Sequence, residues 1–135
     1  MPAYTLTIDV RTHWTGATVV VLSGELDHQT APRLRRVVER TPAGLPLVLD
    51  LTELRFCDSI GIGELVFAAR RTPVPEAALP VVGAPADLRH LLALTGVDGL
   101  VAHHDGVDLA VAALAPGGAA SAGGPTGAAE RHAGP

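Results

Sequence analysis

The chain reads as an α/β domain built on a mixed sheet of four to five strands with about four packed helices. Three observations predict this. Short β-rich runs alternate with helical periods from residue 18 onward, which argues for a largely parallel core sheet. The first two strand-like runs are close in sequence, which makes that pair antiparallel. Apolar residues make up 47% of 135 residues, enough for one domain with a core that needs no staples.

Residues 4–9 alternate apolar and polar, the sign of a half-buried strand, and Trp14-Thr15-Gly16 marks the turn after it. Residues 18–23 are β-branched and mostly apolar, a central strand. Residues 24–30 read as a loop ending in Thr30, an N-cap candidate. A helix runs on to Arg40 with Leu34, Val37 and Val38 inward and Pro32 in its tolerated first turn. Pro42, Gly44 and Pro46 break the chain before a buried strand at 47–51.

The next helix places Ile62, Leu65, Val66 and Ala69 on one face. Pro73 and Pro75 force a loop, and residues 79–83 form a short strand. Pro85 opens a helix carrying Leu88, Leu91, Leu92 and Thr95 on one side, closed by Gly96. Residues 100–103 supply a last strand. Asp105 then caps a final helix with Val107, Ala110, Val111 and Leu114 as its apolar stripe. No internal repeat is visible. From Pro116 the composition turns to Gly, Ala, Pro and Ser, so the domain is expected to span 1–115 and the tail, 116–135, to be disordered.

Composition excludes several classes. The single cysteine, Cys57, cannot build a disulfide framework and fits a reducing compartment. No secretory signal and no run near the ~20 apolar residues of a bilayer span is seen, so the expected address is the cytoplasm, without membrane insertion. The formal net charge is −4 and aromatic residues are 3%, which argues against direct nucleic-acid binding. Every basic side chain is arginine. Arg33, Arg35, Arg36 and Arg40 cluster on a helix, as a solvated face or a partner-docking one. His103-His104-Asp105 is a poor metal site, because adjacent histidines on a strand point to opposite faces. No metal or cofactor is expected.

The chemistry concentrates in residues 54–63, Leu54-Arg55-Phe56-Cys57-Asp58-Ser59-Ile60-Gly61-Ile62-Gly63. Here a strand and its loop turn into a helix. Ser59 is either the helix N-cap or a group presented beside unpaired backbone N–H donors, where a phosphate is locally stabilised. Gly61 and Gly63 each cost roughly 0.5–1 kcal/mol relative to alanine in a helix. They suggest a backbone left bare for a close approach by another macromolecule. The lysine of a P-loop is missing, and so is a G-x-S-x-G elbow. Cys57 reads as a small buried hydrophobe. Asp27 and His28 follow the central strand. If the two strands are parallel neighbours, Asp27 and Ser59 share the carboxyl edge where α/β sheets place their sites. Asp27 reads equally as a loop or cap carboxylate.

These segments together resemble the STAS-domain anti-sigma factor antagonists of bacteria. The resemblance rests on Ser23-Gly24-Glu25-Leu26-Asp27-His28-Gln29-Thr30-Ala31, on Leu47-Val48-Leu49-Asp50-Leu51, on Phe56 to Gly63, and on Leu94-Thr95-Gly96-Val97-Asp98-Gly99-Leu100. It covers roughly residues 4–115 in order. It implies a STAS-like fold and a non-enzymatic switch. The unphosphorylated antagonist binds an anti-sigma factor that is also a serine kinase, which frees a sigma factor. The kinase uses ATP to phosphorylate the serine after the aspartate, here Ser59, and a metal-dependent serine phosphatase restores the free form. The implied partner surface is Asp27, His28, Asp58, Ser59, Ile60, Gly61 and Ile62. This chain has Ile60 where the family carries a second hydroxyl residue, and Ile62 where it carries leucine. Two other readings stand beside this one. One is a STAS module of another assembly, a transporter accessory subunit or stressosome-like scaffold, with Ser59 unphosphorylated. The other is a small hydrolase using Ser59 with His28 as a spatial neighbour.

Truncation after Ala115 is expected to leave the thermal midpoint nearly unchanged. A loss of several degrees in a thermal scan shows instead that the tail docks.

Overall fold

The computed structural model describes residues 5–42, 45–71 and 78–114. The tail from residue 116 lies outside them. Five strands and four helices follow in the order β1 (Leu6–Thr12), β2 (Thr18–Leu26), α1 (Ala31–Arg40), β3 (Leu47–Cys57), α2 (Ser59–Ala69), β4 (Leu79–Val82), α3 (Ala86–Leu94), β5 (Val101–His104) and α4 (Val107–Leu114). A 3₁₀ turn at Asp98–Leu100 precedes β5. The sheet order is β1-β2-β3-β4-β5; β1 is antiparallel to β2, and the remaining neighbours are parallel. The fold class and the mixed sheet expected from the sequence are those observed.

Two clusters divide the core by the twofold period of the strands. Val20, Leu22, Leu49, Leu51 and Val81 pack with Leu34 and Val38 of α1, Ile62 and Leu65 of α2, and Leu88 and Leu92 of α3. The alternate residues Val19, Val48 and Val82 meet Ala110 and Val111 of α4. Thus α1, α2 and α3 cover one face of the sheet, and α4 covers part of the other. Burial of each large aliphatic side chain contributes about 1.5–3 kcal/mol. Leu22, Leu49 and Leu51 are fully buried and anchor the sheet to the helices.

Several boundaries move. β2 continues to Leu26 and β3 to Cys57, past the ends read from the hydrophobic pattern. Their pairing slips between Val21 and Ser23 and again between Gly24 and Glu25. Each slip breaks the period of two, so the strand continues while its pattern disappears. Gly24, Glu25 and Leu26 are therefore strand, not loop. Thr95 is exposed rather than on the apolar side of α3, and its Oγ1 donates to the Leu91 carbonyl at 2.8 Å. Gly96 does close α3. At φ +78° its N–H donates to the Ala93 carbonyl at 3.2 Å, and the Val97 N–H donates to Leu92 at 3.1 Å, a Schellman ending. The residue directly before α4 is Gly106, whose carbonyl accepts from Ala110, so Asp105 stands one position short of the cap.

Candidate functional site

The parallel β2–β3 pair ends on the rung Leu26 opposite Cys57. One residue further, the Asp58 N–H donates to the Leu26 carbonyl at 3.2 Å. Asp27 and Asp58 therefore leave the sheet side by side, and the loops that follow them form one edge. This edge lies at the carboxyl ends of parallel strands, where α/β sheets expose unpaired loops.

Asp58 is the N-cap of α2. Its backbone is extended, with φ −95° and ψ −174°, and its Oδ1 accepts from the Gly61 N–H at 2.9 Å. Ser59 is thus the first helical residue and not the cap, which settles that alternative. With capping done by its neighbour, Ser59 is exposed and its hydroxyl makes no side-chain hydrogen bond among the described residues. The first intrahelical bond runs from Ile62 N–H to the Asp58 carbonyl at 2.9 Å. The N–H groups of Ser59 and Ile60 come earlier and have no helical acceptor. A group carried on Ser59 Oγ stands beside those donors and the positive end of the helix.

Asp27 organises the neighbouring turn. Its Oδ1 accepts from the N–H groups of Gln29 at 2.9 Å and Thr30 at 3.0 Å. These bonds, led by that from Thr30, hold the carboxyl below its ordinary range. Thr30 stands at the N-cap position of α1 without a side-chain cap bond. Its buried Oγ1 instead donates to the Glu25 carbonyl at 2.8 Å and accepts from the Asp27 N–H at 2.9 Å. Asp27 is therefore the turn carboxylate of its loop, and it lies on the same edge as Ser59. His28 is exposed beside it. Beneath the loops, the Glu25 carboxylate accepts from the Thr5 N–H at 3.1 Å and from Arg55 Nε at 3.3 Å, which braces β1, β2 and β3 together.

Gly61 and Ile62 face inward. Both are buried, and Ile62 is 5% exposed. A Cβ on Gly61 would lie 2.7 Å from Cys57 Sγ and 2.7 Å from the Leu26 carbonyl oxygen. The close approach that this glycine permits is to its own β2–β3 rung, not to another molecule. Nothing lies within 4 Å of a Cβ on Gly63, so that position alone is open. Ile60 points outward at 51% exposure.

Cys57 is largely buried. Burial first, and then the Asp58 carboxylate, pushes its thiol up to about 12, so it stays protonated and unreactive at neutral pH. Among the described residues no group of three or more His, Cys, Asp or Glu is placed to hold a metal. His103 Nε2 instead pairs with Asp98 at 3.1 Å.

Sequence reasoning missed one feature of this edge. Phe56 is 52% exposed and Leu94 is 70% exposed, and both line a cavity of about 410 Å³ between the end of β3 and α3. Cys57, Leu54, Leu88 and Leu91 complete its apolar wall. The cavity exists because β4 pairs with β3 only at Leu49 and Asp50, so β3 overhangs the sheet. No local pattern reports an overhang.

The family model described as Mlab, STAS domain, matches residues 10–102. The chain belongs to the STAS-domain family. An anti-sigma-B factor antagonist of Listeria monocytogenes is 28% identical over 98 residues, spanning 71% of this chain and 86% of that protein. An anti-sigma factor antagonist from Mycobacterium paratuberculosis has a crystal structure similar to this one, with TM-score 0.70 and 32% identity. The match covers 81% of this chain and 93% of the other. The Bacillus cell fate determinant SpoIIAA in its phosphorylated form shares the fold, with TM-score 0.60 and 16% identity, over 81% of this chain and 100% of that one. No helix among the described residues is long and apolar enough to cross a membrane.

Gly61→Ala is expected to destabilise the domain by about 1–3 kcal/mol, because the new methyl overpacks a rigid backbone rung. Gly63→Ala, with open space around it, should be neutral or stabilising by roughly 0.5–1 kcal/mol. Urea titration of both variants measures the difference.

Cys57 adds a pH dependence of known sign. Its folded pKa lies above the ordinary 9.0, so its contribution is complete below about pH 9 and is lost as pH rises through about 12. Urea titrations across that range should show wild type losing stability relative to Cys57→Ala.

Proposed function

We propose that this protein is an anti-sigma factor antagonist acting in the cytoplasm. It binds an anti-sigma factor serine kinase through the edge formed by Asp27, His28, Asp58, Ser59 and Ile60, with Gly61 and Ile62 seating that edge on the core. The observation that carries the reading is the division of labour at α2. Asp58 takes the cap, which leaves the Ser59 hydroxyl exposed at a helix N-terminus and without a side-chain hydrogen bond among the described residues. The names borne by its Listeria and Mycobacterium relatives support the same reading.

The switch follows from charge. The kinase transfers the terminal phosphoryl group of ATP to Ser59 Oγ: the Oγ–P bond forms as the bond to the bridging oxygen breaks, ADP leaves, and the hydroxyl proton passes to a base of the kinase or to solvent. Phosphoserine adds about −1.5 to −2 charge. In the free domain the helix N-terminus offsets part of this, by about 0.3–1 kcal/mol at an exposed site, so the fold survives. At an interface the same hydrated dianion must be desolvated beside the Asp58 carboxylate. A mismatched buried charge costs about 2–5 kcal/mol, enough to weaken binding more than tenfold. Phosphorylation thus releases the kinase, which then holds the sigma factor, and a serine phosphatase resets the cycle.

Capture from native lysate with and without ATP, followed by mass spectrometry, identifies the kinase. Calorimetry then compares wild type with Ser59→Ala and Ser59→Asp. Ser59→Ala should bind persistently and accept no phosphate, and Ser59→Asp should keep its fold and bind more than tenfold more weakly. Asp27→Ala should weaken binding or slow phosphorylation. Equal affinity for wild type and both Ser59 variants, or phosphate transfer to Ser59→Ala, overturns the switch.

A further inference from the structure

We propose that the outer face of α1, continued by the end of α2, is a cationic docking face for an acidic protein surface. The two helices and the pair that follows α2 carry six arginines, Arg33, Arg35, Arg36, Arg40, Arg70 and Arg71, against two glutamates, Glu39 and Glu64. The chain as a whole has a net charge of −4. Positive charge is therefore concentrated on α1 and the end of α2 of an acidic molecule.

Half of these arginines have internal work. Arg35 pairs with Glu64 at 2.8 Å, and its guanidinium lies 3.8 Å over the Phe67 ring. Arg33 donates to the Leu6 carbonyl. Arg71 donates to the Thr41 carbonyl at 3.1 Å, which ties the end of α2 to the end of α1. Arg36, Arg40 and Arg70 differ. All three are exposed, and among the described residues none has a carboxylate partner within ion-pair range. Arg36 and Arg40 stand four residues apart on one face, where like charges disfavour the helix that carries them. The helix C-terminus accounts locally for Arg40, but not for Arg36 a turn earlier. The Arg71–Thr41 bond brings Arg70 to the same end as Arg40.

The face fits a protein better than a nucleic acid or an anionic membrane. Phe67 is already covered by Arg35, so it offers no ring for a base to stack on. The acidic remainder of the molecule repels an extended polyanion, while three guanidinium groups with no carboxylate partner among the described residues match a compact carboxylate patch. Both helices begin at the Asp27–Ser59 edge, so a partner seated there has this flank alongside. On the reading given above, that partner is the anti-sigma factor kinase, and the cationic face orients its approach before Ser59 is engaged.

The test uses the triple variant Arg36→Gln/Arg40→Gln/Arg70→Gln in the full chain. In the first arm, an oligoglutamate peptide is titrated at low salt and backbone amide shifts are followed by NMR. Shifts should appear along α1 and at residues 69–71 and vanish in the variant. No shifts, shifts elsewhere, or shifts unchanged in the variant overturn the proposal, as does tighter binding to duplex DNA or phosphatidylserine vesicles. In the second arm, the variant should associate with the kinase about tenfold more slowly at low salt, with the difference closing as salt screens the charges. An unchanged association rate overturns the proposal. If wild type does not bind the kinase at all, the assignment of the partner fails, and the oligoglutamate arm still decides whether the face is a docking surface.

Discussion

The parallel register of β2 and β3, closed by the Asp58 N–H on the Leu26 carbonyl at 3.2 Å, governs everything at the Asp27–Ser59 edge. Asp27 and Asp58 are 31 positions apart in the chain, and only this pairing makes them neighbours. The constraint reaches into α2 through Gly61, which rests against Leu26 and Cys57 with no room for a methyl group. The helix can dock at this depth only because that residue has no side chain. Its N-terminus, and with it Ser59, is therefore held by the backbone of the sheet rather than by a flexible loop.

Rigidity beneath the edge contrasts with exposure above it. Glu25 is buried and bonded to Thr5 and Arg55, so three strands are locked just below the loops. Asp27 spends one carboxylate oxygen on its own turn. What faces solvent includes the Ser59 hydroxyl, the Ile60 side chain, His28, Gln29 and the apolar rim at Phe56. A preorganised edge of this kind loses little conformational entropy on binding.

The electrostatics divide the molecule further. Carboxylates Asp27 and Asp58 sit at the edge where both helices start, while Arg36, Arg40 and Arg70 lie along and beyond them. A partner that met the edge alone would find a mildly acidic surface. One that also met the flank of α1 would find the opposite sign. Such an arrangement selects orientation more than it adds affinity.

Periodicity in the chain was sufficient for the fold class, the element order and the helix faces apart from Thr95 of α3, because each helix must bury one stripe and each strand one side. Family-like segments around Ser59 and Asp27 were legible for the same reason, being local and contiguous. Other features were not. The true lengths of β2 and β3 were hidden by register slips that erase alternation at Val21–Ser23 and Gly24–Glu25. The cap of α2 falls on Asp58 where the sequence offered Ser59, since both residue types favour that position and only the bond from the Gly61 N–H decides. Gly61 looked like a surface accommodation, and became a core contact once β2 was placed beneath it. Local chemistry is written in neighbouring residues, whereas which side of a glycine is occupied depends on chain segments far away in sequence, and tertiary packing alone assigns it.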